Sequence, residues 1–371
     1  MGFEVFEKIK GTTTIMRILI DIGHPAHVHI FKHFTREMQK NNHEVLFTCR
    51  EKEFEIELLR AEGFKFISFG KKYKSLVGKV FGLLVFNLKM LKTALSFKPN
   101  LFLSAGSMYA AQVAWLLRKP HFAMEDTGNM EQIKLYLPFS NIVFTPFEIP
   151  EQLGKKQFRY HSYHELCYLS PPYFTPNEDI YSFLEIPKDR KFAILRFVSW
   201  DATHDVGQGG FTAEHKDQIV DYLAENYALF ISSEGEVPER FKKYLFKIPP
   251  DKMHDAMAFA SMVVSEGATM ASEAGVLGTP SIYVNSLVRC YNEDQEKYGL
   301  VFNFQSSNGV LDKIKDLQQI EDVDAVFEQR RQAMLNDKID FTSFLLWFVN
   351  EYPASHKIIL DNPAYQQRFK F

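Results

Sequence analysis

The sequence predicts an α/β protein made of two Rossmann-like halves, each a doubly wound parallel sheet. Short apolar runs of strand length alternate with helical patterns for most of the chain, and the connections between them are short. The alternation breaks once, over residues 170–191, where Ser-Pro-Pro, Thr-Pro and Ile-Pro occur, and then restarts. A chain of 371 residues is too long for one ordinary core and suits two.

Taken in order, residues 1–15 read as an extension before the first strand, RILID at 17–21. A helix is expected over 29–40, a strand over 44–48, a helix over 54–62 and a strand over 65–68. A long helical pattern covers 76–97, followed by a strand at 101–104, a helix at 110–117 and a strand at 121–124. After the proline-bearing stretch come a strand at 192–197, a helix at 213–225 and a strand at 228–232. A helix at 253–260, a strand at 262–265, a helix at 269–276 and a strand at 281–284 follow. The expected division is a first domain over 16–169, a linker over 170–191 and a second domain over 192–345, with 346–371 as an aromatic-rich terminal segment. Paired halves of this kind make a cleft, the usual place for a ligand.

Composition narrows the function classes. With 46% hydrophobic and 24% charged residues, the chain reads as globular, not as disordered, collagen-like or coiled-coil. Acids outnumber bases by 46 to 43, a net charge of −3, whereas a nucleic-acid binder is usually basic. Cys49, Cys167 and Cys290 are scattered without a CxxC pair, so a reducing cytoplasm is expected and a disulfide framework or structural zinc is not. No signal peptide is expected from the first residues, and the longest apolar run, near 80–86, is too short to span a bilayer.

The loop Gly23-His24-Pro25-Ala26-His27-Val28-His29 leaves the C-terminal end of the first strand, where crevices bind ligands. It lacks GxGxxG, which disfavours a nicotinamide oxidoreductase. His27 falls near a helix N-terminus, and a neutral imidazole there is suited to accept a proton from a hydroxyl. Capping by His24 and packing by His29 are the ordinary alternatives, and no carboxylate or cysteine stands near enough in sequence to complete a metal site. Glu125 and Asp126 follow a strand and also face the cleft. One of them is a candidate general base toward an acceptor hydroxyl, or a group that orients His27, unless they only cap a helix.

The most informative stretch is Ser265-Glu266-Gly267-Ala268-Thr269-Met270-Ala271-Ser272-Glu273, which follows a strand and opens a helix. Gly267 and Ala268 allow close approach to the backbone, and the free N–H groups of a helix start suit a diphosphate. Thr269 adds a hydroxyl, and Glu273, one turn in, lies on a face able to reach two ribose hydroxyls. The plain alternative is a helix packed on the sheet.

The run SEGATMASEAGVLGTPSIYV resembles the C-terminal nucleotide-sugar signature of GT-B proteins. It is similar to the lipid-linked N-acetylglucosaminyltransferase of peptidoglycan synthesis and to the non-hydrolysing UDP-N-acetylglucosamine 2-epimerases. The resemblance implies that Gly267, Ala268 and Thr269 hold the diphosphate and Glu273 the ribose. GHPAHVH sits where the transferase has a Gly-rich loop ending in a histidine, here His27, and Ser104-Ala105-Gly106-Ser107 with Ala123-Met124-Glu125-Asp126-Thr127-Gly128-Asn129 resembles its later turns. The whole chain looks most like a GT-B-like family known mainly as a domain of unknown function. In GT-B folds the loop after the second domain's first strand, here from Arg196 to Gly210, meets the donor. Arg196 and His204 are therefore candidates to neutralise a leaving UDP, against the alternative of an exposed loop. The final segment is expected, by the same resemblance, to cross back to the first domain.

The resemblance implies a UDP-sugar-dependent glycosyltransferase of surface polysaccharide or glycolipid synthesis, working without a bound metal or cofactor. His27, Glu125 and His204 would be its catalytic groups. A UDP-N-acetylglucosamine 2-epimerase is the alternative, disfavoured because the turn reading SAGSM lacks the epimerases' acid, and a non-catalytic nucleotide-sugar-binding protein is another. One further feature bears on partners. Residues 63–124 contain no acid and ten lysines and arginines. Lys71, Lys72 and Lys74, beside the apolar pattern at 76–97, suit an anionic membrane surface, unless the lysines merely flank a core helix.

Overall fold

The computed structural model describes residues 15–51, 54–71, 76–198 and 209–371, the side chains of 76–81 apart. Lys72, Lys74 and His204 lie outside the described residues. The chain divides into two compact units, Met1–Tyr168 with Lys338–Phe371, and Leu169–Asp337.

The first unit opens with β1 (Arg17–Asp21), α1 (Pro25–Lys40), β2 (Glu44–Glu51), α2 (Glu55–Ala61), β3 (Phe66–Lys71) and α3 (Leu76–Phe97). It continues with β4 (Leu101–Ala105), α4 (Met108–Leu116), β5 (His121–Met124), α5 (Met130–Tyr136), β6 (Ile142–Pro146) and β7 (Gln157–Tyr160). The seven strands are parallel, in the order β3-β2-β1-β4-β5-β6-β7. Strand order therefore reverses between β1 and β4, and right-handed crossovers place α1 and α2 on one face and α3, α4 and α5 on the other. Leu19 and Phe102 of the sheet pack against Phe86, Met90 and Ala94 of α3 and Ala110, Val113 and Ala114 of α4.

A single turn, α6 (Leu166–Leu169), meets the boundary of the units. The second unit holds α7 (Ile180–Phe183), β8 (Phe192–Phe197), α8 (Ala213–Asn226), β9 (Ala228–Ser233), α9 (Met253–Phe259) and β10 (Met262–Ser265). Then come α10 (Ala268–Leu277), β11 (Ser281–Val284), α11 (Cys290–Lys297), β12 (Val301–Phe304), α12 (Val310–Gln318) and α13 (Val323–Asp337). Its five strands are parallel, in the order β12-β11-β10-β8-β9, so the reversal falls between β8 and β10. The proline-bearing stretch is more than a connector, because Ile180 and Leu184 are buried with Phe192, Ile194 and Met257. A Cβ on Gly275 of α10 would lie 2.6 Å from Val301 Cγ2, so this helix sits against β12 more closely than a larger residue permits.

The chain then rejoins the first unit as α14 (Phe341–Asn350) and α15 (Ala354–Asp361), with α14 packed on α1. Asp340 caps α14 by accepting from the Ser343 N–H at 3.0 Å. Phe341, Phe344 and Phe348 meet Phe144 of β6 edge to face, at ring separations of 5.1 to 6.0 Å. Some of the chain's 35 phenylalanines are thus packed inside this core. α1 begins earlier than the helical periodicity indicates. Pro25 is tolerated in the first turn, and His24 caps it by accepting the Ala26 N–H on Nδ1 at 3.2 Å. Among the described residues, no helix is long and apolar enough to cross a membrane.

Candidate functional site

The strand-order reversal of the first unit brings the loops after β1 and β4 together, at the place where such sheets bind ligands. Beneath the first loop lies a buried ion pair. Arg50 Nη1 donates to Asp21 Oδ1 and Oδ2 at 2.7 and 2.6 Å, and Thr48 Oγ1 donates to Oδ1 at 2.6 Å. Above it, the Gly23 N–H donates to His27 Nδ1 at 3.2 Å. A backbone N–H can only donate, so neutral His27 must carry its proton on Nε2. Burial, and then His24, hold the ring well below the ordinary imidazole range, against the opposing charge of Asp126. The sequence suggests a proton acceptor here. In the neutral ring Nδ1 is taken by the Gly23 N–H and Nε2 is a donor.

Glu125 follows β5 in the same unit. It is buried, and its two oxygens accept four hydrogen bonds: from Thr127 N (2.8 Å), Thr127 Oγ1 (2.6 Å), Gly128 N (3.1 Å) and Tyr136 Oη (2.6 Å). Burial raises its pKa, and the bonds from Thr127 and Tyr136 offset this only in part. Such a carboxyl organises the turn after β5. Its neighbour Asp126 is partly exposed and pairs through Oδ2 with His164 Nδ1 at 2.9 Å. His164 is buried, and its Nε2 has no hydrogen-bond partner among the described residues. Burial opposes charge on this ring, but Asp126, by its charge and its hydrogen bond, carries the His164 pKa above the ordinary value. Asp126 and His164 both act electrostatically on His27. Sequence reasoning missed His164, whose only local signal is its position just after β7.

The turn after β4 is held by a one-directional chain of bonds. Ser107 N donates to Ser104 Oγ (3.0 Å), Ser104 meets His121 Nε2 (2.9 Å), His121 Nδ1 meets Ser140 Oγ (2.9 Å), and Ser140 donates to the Tyr136 carbonyl (3.0 Å). Those fixed ends put the His121 proton on Nδ1, and burial pushes its pKa down to about 3. A histidine with a lowered folded pKa contributes stability above its unfolded value of 6.5 and loses it as pH falls toward the folded value. Stability is therefore expected to drop below that pH, by about 1.4 kcal/mol per pH unit for each such histidine. Urea unfolding from neutral to acid pH measures this slope. His121→Gln should make it shallower by one proton, and an unchanged slope contradicts the assignment.

In the second unit the reversal brings together the ends of β8 and β10. Gly267 opens α10 with no side-chain cap, and the preceding turn is closed by Ser265 Oγ, which accepts from Gly267 N at 2.9 Å and donates to Gly267 O at 2.8 Å. Ala268 and Thr269 form the half-buried first turn. Glu273, nearer the middle of α10, is buried, with Oε1 3.1 Å from His254 Nε2 of α9. Glu273→Ala is thus expected to lower stability by about 1–3 kcal/mol, because it strips His254 of that partner. Glu273→Gln should recover most of this in denaturant unfolding.

Arg196 is committed within its own unit. It donates to Ser232 Oγ at 2.7 Å and to Glu234 Oε1 at 2.5 Å, so its charge is already matched by a carboxylate. The residue that sequence reasoning passed over is Glu266. Fully buried, it accepts from Val198 N (3.0 Å) and Phe211 N (2.9 Å), and Lys216 Nζ lies 3.4 Å away. It ties together the two backbone points that flank residues 199–210. Of the expected site residues, Gly267, Ala268, Thr269 and Glu273 share α10 and its entry, with Arg196 on the neighbouring strand. His27 and Glu125 stand in the other unit, and His204 is outside the described residues. Among the described residues, no group of three His, Cys, Asp or Glu side chains is arranged to hold a metal ion.

Solved structures share this fold at low identity. A UDP-GlcNAc 2-epimerase from Methanocaldococcus jannaschii has a TM-score of 0.60 and 14% identity, over 82% of this chain and 94% of that one. MnaA of S. aureus, solved with UDP, has a TM-score of 0.63 and 12% identity over 94% and 97%. A glycosyltransferase of Streptomyces sp. SF2575 has a TM-score of 0.54 and 14% identity over 89% and 99%. The architecture is therefore GT-B, two α/β units each with a doubly wound parallel sheet. Among curated proteins, none matches this sequence. A family model does match, over residues 16–353, and the chain belongs to that family, described as a protein of unknown function (DUF354).

Proposed function

We propose that the chain is a UDP-sugar-dependent glycosyltransferase of surface polysaccharide or glycolipid synthesis. The observation that carries this reading is the uncapped start of α10, set at the strand-order reversal of the second unit. There the N–H groups of Ala268, Thr269 and Met270 and the positive end of the helix dipole receive a diphosphate. Fold relatives solved with UDP-GlcNAc or UDP support the ligand class. Glu273, oriented by His254, takes the ribose hydroxyls.

In the first unit, Asp126 is the base toward the acceptor hydroxyl, held from behind by His164, and His27 donates from Nε2 to an oxygen of the acceptor. The helix end, not a resident cofactor, meets the charge of departing UDP. One observation favours a second reading, a UDP-sugar 2-epimerase. Asp126 raises the pKa of His164 and pairs with it at 2.9 Å, which sets a carboxylate and a proton-bearing ring side by side as an acid and a base. The acid-free turn from Ser104 to Ser107 weighs against it.

Chromatography of products after incubation with UDP-N-acetylglucosamine, without acceptor, separates the two. Intact nucleotide sugar, with binding shown on the same sample, is the result expected of a transferase. An epimerised sugar, or released UDP with an eliminated sugar, transfers the assignment to the epimerase. No binding contradicts both.

A further inference from the structure

We propose that the α3–α4 face of the first unit docks on an anionic lipid bilayer. This inference stands apart from the proposed activity. α3 turns Phe86, Met90 and Ala94 into the core, yet Leu84, Leu88 and Leu95, on its opposite side, are 64%, 63% and 57% exposed. The three fall within a narrow stripe at helical spacing. Asn87 Nδ2 donates to Gln112 Oε1 at 2.9 Å, which sets this part of α3 beside α4. About one turn further along α4 are Trp115 and Leu116, 62% and 57% exposed. Five large apolar side chains thus stand in solvent on two adjacent parallel helices, where scattered single ones are the rule for a surface with no partner.

The charge around this patch selects its occupant. No acid occurs between residues 63 and 124, and Lys92, Lys98, Arg118 and Lys119, on or just beyond the same two helices, are exposed. A tryptophan and leucines able to enter the headgroup boundary, with bases that remain in water, match an anionic membrane surface. Because the other side of α3 belongs to the core, the helix lies along the bilayer and does not cross it. Of the three lysines that the sequence singles out, Lys71 is exposed at the end of β3 and those at 72 and 74 are outside the described residues, so the patch is argued from Lys92, Lys98, Arg118 and Lys119.

The test is sedimentation with vesicles of phosphatidylcholine, with and without phosphatidylglycerol. The wild-type chain should sediment only with the anionic vesicles. Leu88→Glu with Leu95→Glu, and separately Lys92→Glu with Lys119→Glu, should each weaken partition about tenfold or more. Circular dichroism and thermal unfolding should stay unchanged, since every substituted side chain is exposed. The proposal is overturned if the wild type ignores anionic vesicles, binds neutral ones equally, or binds unchanged after the leucine substitutions. It is also overturned if ultracentrifugation shows a dimer that the leucine variants dissociate, which assigns the face to a second copy of the chain.

Discussion

Thr269→Glu is expected to weaken UDP binding about a hundredfold while leaving the second unit slightly more stable. The two effects have one cause. Thr269 lies in the first turn of α10, two residues after the Gly267 cap. A carboxylate there complements the helix dipole and stabilises the helix by about 0.3–1 kcal/mol. The same carboxylate occupies the place proposed for a diphosphate and repels it. At a few ångströms and intermediate dielectric, that repulsion amounts to about 3 kcal/mol, or two orders of magnitude in affinity. Thr269→Val removes only the hydroxyl and should cost about tenfold or less. Isothermal calorimetry together with thermal unfolding reads both quantities. A variant that binds UDP as the wild type does would remove the ligand from α10, and loss of binding accompanied by loss of stability would indicate simple damage.

The second large effect concerns stability. Asp21→Ala is expected to destabilise the first unit by about 3–5 kcal/mol. Asp21 is fully buried and Arg50 nearly so, and the substitution leaves a guanidinium enclosed without its counter-charge. The Tyr109 ring, 5.0 Å from the Arg50 guanidinium carbon, carries no charge to replace it. Set against ordinary domain stabilities of about 5–15 kcal/mol, this approaches the whole margin. The double variant Asp21→Ala with Arg50→Met removes both charges and should recover a large part of the loss. Because the chain has two compact units, denaturant unfolding is best followed with probes in each, and only the first unit's transition should move. The loop above would move with it. A Cβ at Gly23 would already lie 3.0 Å from Arg50 Nη2, so the His27 loop rests on this pair.

Much of the frame was legible because its signals are local. RILID, MVVS and SIYV each centre on a continuous apolar run, as strands covered on both faces must. α10 announces both ends, with Gly267 at its start and Gly278 at φ +85° at its close, two residues before Pro280. β6, β7 and β12 are absent from the sequence reading. β7 (QFRY) and β12 (VFNF) are edge strands, only partly buried and interrupted by polar residues, so neither forms the continuous apolar run that marks the inner strands.

The site was harder to read because its chemistry depends on contacts made at a distance. Nothing in the dipeptide Glu125-Asp126 says which carboxylate turns inward to four donors and which meets a histidine that only the parallel sheet brings near. The His27 tautomer is decided by the N–H of Gly23, a backbone group without a sequence signature. Glu266 lies inside the most informative motif, yet its role is visible only once Val198 and Phe211 converge on it.

The most direct measurement of the central claim is calorimetric titration of the wild-type chain with UDP and, in parallel, with uridine. If α10 receives a diphosphate, UDP should bind at least about a hundredfold more tightly than uridine, since the phosphates meet the helix end and the nucleoside does not. Equal affinities, or no heat with either, would contradict the assignment of the second unit as a nucleoside-diphosphate site.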